Sequence, residues 1–158
     1  MRADADIVAY IAKKHDEMVA KLLTLMPASD LTTQCLWQPI PTYIARDRSN
    51  AKGGNMMGLD NVNDNALLWL ITAAVKTPEQ LAIVTPYISG LNAAAEKYAQ
   101  AKGGHVDWVY LNYADPSQNP LASYGAKNVA FMKGVSKKYD PKAIFQKKVT
   151  GAWRLDRI

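Results

Sequence analysis

ALLWLITAAV, Ala66–Val75, is the stretch whose reading decides the fold. It is apolar throughout and lies between two turn signals, NVNDN before it and TPEQ after it. Its length and its Ile, Thr and Val content favour a strand over a helix. An unbroken apolar run of this kind predicts burial on both faces. Upstream, LTTQCLWQPI, Leu31–Ile40, reads as another strand that Pro39 and Pro41 bring to an end. Alternation places Thr32, Gln34, Leu36 and Gln38 on one face and Thr33, Cys35 and Trp37 on the other.

Helices flank this pair. Ile7, Tyr10, Ile11, Met18, Leu22 and Leu25 recur at three- and four-residue steps with one gap of seven, and charged residues fill other positions. That spacing predicts an amphipathic helix over 6–25, capped by Asp4 or Asp6 and stopped before Pro27, with a turn at PASD. After the apolar strand, Thr77 fits an N-cap, Pro78 the first helical position and Gln80 the closing residue of a capping box. The resulting helix runs to Ala101 and ends at Gly103-Gly104, with a kink expected at Pro86. The repeated AKGG at Ala51 and Ala101 reads as one helix-ending device used twice, since no phosphate-loop pattern surrounds it.

The remaining segments are shorter. TYIARDRSNAK suggests a short helix closed by Gly53-Gly54, and NMMGLD a short strand. HVDWVYLNYA reads as a further strand, with Val106, Trp108, Tyr110 and Asn112 on one face and Asp107, Val109, Leu111 and Tyr113 on the other. A polar loop, 115–124, leads to a helix over 126–139. DPKAIF turns the chain, and an extended tail carries Trp153 and Leu155. The element order predicts an α+β fold with a mostly antiparallel sheet and helices packed on one face. The 158 residues suit a single domain with a real core.

Composition bounds the function. The net charge is +5, but the basic residues occur as separated pairs such as Lys13-Lys14, Lys137-Lys138 and Lys147-Lys148, so no nucleic-acid partner is expected. The lone Cys35 excludes an intrachain disulfide and fits a reducing compartment. Asp4 and Asp6 stand where a signal peptide would be basic, and no apolar run of membrane-spanning length occurs, so a cytoplasmic protein without a membrane partner is expected.

The segment YLNYADPSQNPLASYG, with NVAFMKGVSKKYDPKAIFQ and TGAWRL after it, resembles the C-terminal part of fungal berberine-bridge-enzyme-like FAD-linked oxidoreductases, in the vanillyl-alcohol-oxidase superfamily. The matching residues are Tyr110, Asn112, Tyr113 and Asp115, then Tyr124-Gly125, then Lys138 to Pro141 and Phe145. QCLWQPIP, GGNMMGLD and AAVKTPEQ are similar to the same group, so the resemblance covers nearly the whole chain. It implies a truncated substrate domain plus closing tail, in which the Tyr110–Tyr113 segment passes near the flavin ring and the substrate. The family's flavin-binding domain, with its pyrophosphate loop and its flavin-linked His or Cys, has no counterpart here; His15 and His105 match no such motif. The chain alone is therefore expected to hold no cofactor, FAD included. Three origins fit: an independent protein that lost the flavin domain, one half of a split oxidase, or a fragment. The capped helix soon after Met1 favours a real start or a deliberate cut.

Candidate residues follow. Tyr110 and Asn112 are the catalytic candidates, because a phenol and an amide can polarise a carbonyl or hold an enol. The alternative is a Tyr packing in a sheet with its hydroxyl at the edge. Trp108 and Trp69 would supply apolar walls. Gln34, Leu36 and Gln38 would line a polar-specked pocket, unless they form a solvated face. Tyr113 counts as substrate-binding in this scheme, although it, Asp115 and Tyr124 fit equally as loop anchors. His105 is a candidate base, with a plain surface His as the commoner case. His15 reads as solvent-facing, and Cys35 as buried and inert. No metal-ligand spacing is present.

These residues lead to a cofactor-independent enzyme of fungal secondary metabolism, a cyclase or isomerase or the catalyst of a pericyclic step on a small organic substrate. One alternative is the C-terminal half of an FAD-linked oxidoreductase needing a separate FAD-binding chain; another is a non-catalytic small-molecule-binding module. A bared face carrying Trp108, Leu36 and Trp69 would favour a homodimer.

Overall fold

The computed structural model describes residues 1–46, 54–59, 62–151 and 153–158. The chain divides into two compact units. Met1–Ile40 with Asn65–Val106 makes the first, and Pro41–Asp64 with Asp107–Ile158 the second.

The first unit is a hairpin covered by two helices. Helix α1, Ala5–Leu22, begins at Asp4, whose carboxylate accepts the Ile7 N–H at 3.0 Å. Strands β1, Leu31–Ile40, and β2, Ala66–Val75, pair antiparallel along their whole length, from Leu31 opposite Val75 to Ile40 opposite Ala66. Met1–Ala3 adds a short third run beside β2. Leu67 N–H donates to the Met1 carbonyl at 2.8 Å, and Ala3 N–H donates to the Asn65 carbonyl at 3.0 Å.

Helix α3, Pro78–Ala101, opens on the expected capping box. Gln80 N–H donates to the Thr77 hydroxyl, and the Gln80 side chain accepts the Thr77 N–H. The helix continues through Pro86, which gives no N–H to the Ala82 carbonyl; both residues are exposed. Ile7, Ile11, Ala95 and Ala99 form one buried cluster between α1 and α3. Met18, Leu22, Met26, Val84 and Leu91 form another. The register puts Trp37, Trp69, Cys35 and Ile71 on the sheet face that packs against these clusters. The result is α+β with an antiparallel sheet and helices on one face, as the sequence predicts.

The second unit holds α2, Thr42–Arg46, then α4, Ala126–Tyr139, and α5, Ile144–Lys147. Helix α4 packs on the 3-10 turn Ala122–Tyr124 and on the closing turn Leu155–Arg157. Asp140 fixes α5 by accepting the Ile144 and Phe145 N–H groups at 2.8 and 2.9 Å. Arg154 donates to the Gln146 and Val149 carbonyls and closes the tail onto α5.

Four expectations are corrected. NMMGLD forms turns over 55–59; its Asp60, like Gly53 at the expected helix end, lies outside the described residues. HVDWVYLNYA forms no strand: it is irregular and ends in a 3-10 turn, Leu111–Tyr113. The apolar run of β2 is not buried on both faces: only Ala66 is buried, residues 67–71 are half-buried, and Thr72 and Ala74 are exposed. His15 is not solvent-facing. Its side chain is 16 % exposed, and its buried Nε2 has no hydrogen-bond partner among the described residues. It lies one helical turn after Ile11, inside the gap that the apolar spacing leaves.

Candidate functional site

The residues proposed from the sequence fall into two groups, one in each unit. In the first unit, Gln34, Leu36 and Gln38 project from the sheet face away from the helices, and all three are exposed. Trp69 does not join them. It sits opposite Trp37, on the helix-covered face, and its indole N–H donates to the Cys35 thiol at 3.2 Å. The reason is register: Leu36 pairs with Leu70, so Leu70 rather than Trp69 shares its face. Trp69 belongs to the core, and Cys35 is half-buried beneath it.

In the second unit, Trp108, Tyr110, Asn112 and Tyr113 come together. The Trp108 and Tyr110 rings stack at 5.9 Å between centroids, and Tyr113 meets Tyr110 edge-on at 5.0 Å. The Asn112 amide donates to the Tyr110 hydroxyl at 2.8 Å. Trp108 and Tyr110 are half-buried, whereas Asn112 and Tyr113 are exposed, so the cluster has a packed base and an open rim.

No ladder holds this segment, yet its backbone groups have to be satisfied. Side chains do it. Val109 N–H donates to the Ser123 hydroxyl at 3.0 Å, and Leu111 N–H to the Tyr124 hydroxyl at 3.3 Å. The Leu111 carbonyl accepts the Trp153 indole N–H at 3.1 Å, and the Trp108 indole donates to the Met57 carbonyl at 2.9 Å. Tyr124 is therefore an anchor. Burial pushes its phenol above the usual range, with nearby Tyr110 adding to the effect against the Leu111 hydrogen bond. Gly58, at φ +74°, lies so close to Tyr124 that an added Cβ would come within 2.6 Å of the Tyr124 carbonyl oxygen. Asp115 is a loop anchor too. Its carboxylate accepts the Ser117 hydroxyl and N–H, which hold it below the usual carboxylate range. Sequence reasoning missed Ser123, Met57 and Trp153; only the expectation of an aromatic tail touched the last.

The chemistry of the pair follows from who donates. The Asn112 amide fills one lone pair of the Tyr110 oxygen, which leaves the phenolic proton to donate to a ligand oxygen. Donation into that oxygen also strengthens the phenol as a hydrogen-bond donor. His105 is exposed and belongs to the first unit. Among the described residues no group of three His, Cys, Asp or Glu side chains is placed to hold a metal ion.

The helix ends differ in what they offer the flavin that the resemblance implies. A pyrophosphate favours free N–H groups at a helix N-terminus. The ends of α1 and α3 are already filled by Asp4 and by the Thr77–Gln80 box, whereas α4 starts at Gly125 without a side-chain cap. At α3 the Asp30 carboxylate accepts from the Gln80 amide at 2.9 Å and pairs with the Lys76 ammonium at 2.7 Å.

Comparison with known proteins adds the setting. The chain is 28 % identical, over 155 residues, to the FAD-dependent monooxygenase drtC of Aspergillus calidoustus, covering 98 % of this chain and 29 % of that protein. It is 36 % identical, over 159 residues, to the FAD-dependent monooxygenase FUP4 of Fusarium proliferatum, covering 98 % of this chain and 30 % of that one. It is 32 % identical, over 113 residues, to the FAD-dependent monooxygenase sdcF of Emericella nidulans. No protein-family model matches the chain, and no solved structure matches it significantly. Among the described residues no helix is long and apolar enough to cross a membrane. The chain is thus similar along nearly its whole length to one part of fungal FAD-dependent monooxygenases, and spans less than a third of the length of these relatives.

Proposed function

We propose that this chain supplies the substrate-facing part of a fungal FAD-linked oxidoreductase of the berberine-bridge-enzyme-like kind, and that the flavin is held by a part outside the 158 residues. The observation that carries this reading is the match of 98 % of this chain to under a third of each flavoenzyme. A bound flavin in such an enzyme would accept electrons from a substrate. This chain's contribution is binding and orientation. Trp108 and Tyr113 offer ring faces to a flat organic molecule, and Tyr110, polarised by Asn112, donates to one of its oxygens. The relatives give no support to the non-redox cyclisation, isomerisation or pericyclic step expected from the sequence. The homodimer expected on a shared apolar face loses Trp69 from that face and keeps the exposed Leu36.

The test is co-expression. The chain is produced alone with FAD, and then beside the Fusarium proliferatum relative from which the matched segment has been deleted. The expected result is a colourless protein alone and a yellow, flavin-bearing complex of the two chains together. Stoichiometric FAD on the chain alone, or no complex, overturns the reading.

A further inference from the structure

A hydroxyl binds a ligand oxygen well only when the backbone beneath it is fixed. Around Tyr110 that backbone is irregular and has no ladder to fix it. One turn holds it on either side: Val109 N–H donates to the Ser123 hydroxyl and Leu111 N–H to the Tyr124 hydroxyl. Ser123 is itself tied, since its hydroxyl donates to the Pro120 carbonyl at 2.7 Å. Trp108, the stacking partner of Tyr110, is held by a different segment, through its indole on the Met57 carbonyl. That segment is a tight turn built on Asn55. The Asn55 side chain accepts the Met57 N–H at 2.9 Å, and the Asn55 carbonyl accepts the Gly58 N–H at 3.2 Å.

The two segments meet at Gly58 and Tyr124. A Cβ on Gly58 would stand 2.6 Å from the Tyr124 carbonyl oxygen, 3.1 Å from its carbonyl carbon and 3.2 Å from its Cα. All of these are backbone atoms, so no side-chain rotation relieves the clash. The same carbonyl oxygen accepts the Asn128 side-chain amide at 3.1 Å, which ties the turn to the start of α4. Gly58, Leu59, Leu121 and Tyr124 are all buried, so the meeting point lies in the packed part of this unit.

We propose that the contact of Gly58 with Tyr124 is a clasp that sets the Tyr110 hydroxyl for its ligand, and that Gly58 is therefore a positioning residue of the site. This rests on the function proposed above. The bonds to Trp108, Val109 and Leu111 start from the two sides of the clasp. Parting the sides moves Trp108 relative to Tyr110 and loosens the backbone that aims the hydroxyl. Any side chain at position 58 forces such a parting, of up to about 1 Å, which is the scale at which a positioned group loses much of its effect.

The experiment uses the full chain and, as probe, acetonaphthone with an isotopic label in its carbonyl, a flat ketone. Infrared difference spectra read the carbonyl stretch, which falls in frequency when a phenol donates to the oxygen, and titration of the same band reads affinity. Wild type is expected to shift the band, and Tyr110→Phe to lose the shift. Gly58→Ala should lose most of it and bind about 10-fold more weakly. Gly58→Asn tolerates positive φ but keeps the clash, so it should behave like Gly58→Ala. Tyr124→Phe keeps the carbonyl that Gly58 meets and removes only the acceptor for Leu111; it should keep part of the shift, with affinity about 3-fold lower. A role in stability alone leaves the band at its wild-type position in every folded molecule. If the folded Gly58 variants and Tyr124→Phe keep the wild-type band and affinity, the proposed function stands and the clasp is wrong. Should neither Gly58 variant fold, Tyr124→Phe decides alone. If wild type shows no shift that depends on Tyr110, the ligand role of Tyr110 fails, and the clasp with it.

Discussion

Helices α1 and α4 are built from similar material and meet different fates. Helix α1 buries Ile7, Ile11, Met18 and Leu22, three of them completely, against α3 and the hairpin. Helix α4 buries nothing, and its two aromatic side chains, Phe131 and Tyr139, are exposed. The first unit therefore has a core between its helices and its hairpin. The second buries Leu59, Val62, Pro120, Leu121 and Tyr124, and holds one irregular segment by polar anchoring through Ser123, Tyr124, Trp153 and the Met57 carbonyl. A core makes a unit self-sufficient. A network of side chain–backbone bonds fixes a shape without supplying much stability, because each such bond contributes only about 1 kcal/mol net.

The contrast can be broken by mutation. Leu22→Ala removes a fully buried side chain and should cost about 3 kcal/mol, whereas Phe131→Ala should leave the isolated chain within about 0.5 kcal/mol of wild type; denaturant titration measures both. Equal losses would mean that α4 has a core after all. Tyr124→Phe deletes the acceptor for the Leu111 N–H and should cost about 1 kcal/mol, with faster hydrogen exchange at Leu111 and unchanged exchange in β2. Gly134→Ala should stabilise the isolated chain by up to about 1 kcal/mol, since its Cβ meets open space.

The smallest effect is a matter of pH. The Lys76 ammonium, with help from Gln80 and Ser29, lowers the Asp30 carboxyl to about 2. A carboxylate whose folded value is depressed stabilises the fold above its unfolded value and loses that contribution as pH falls. Stability should thus decline between about pH 4 and pH 2. Asp30→Asn should flatten that part of the profile, and an unchanged slope would remove Asp30 from the account.

Local signals were legible in the sequence, and register was not. Both strands, the Thr77–Gln80 box and α4 follow from patterns that a few neighbouring residues complete. The segment 105–114 misled because Val, Trp and Tyr at alternate positions imitate a strand, and nothing local reveals that no partner strand lies beside it. Its aromatic residues stack on one another instead of across a ladder. The grouping of Tyr110 with Asn112 and Trp108 is recovered, through ring stacking and an amide bond rather than by a shared sheet face. Trp69 was misplaced because a pairing register cannot be read from two isolated strands. His15 was misplaced because a polar residue was allowed to interrupt an apolar stripe that in fact runs over it.

The bond between the Trp69 indole and the Cys35 thiol gives the molecule an optical gauge. A thiol in van der Waals range of an indole quenches its emission, so Trp69 should be dim while the hairpin is closed. Trp37 and Trp69 lie in the first unit, and Trp108 and Trp153 in the second. Replacing Cys35 with serine should brighten only the first pair's signal. The melting of each half then becomes visible in one fluorescence trace, without attaching a dye.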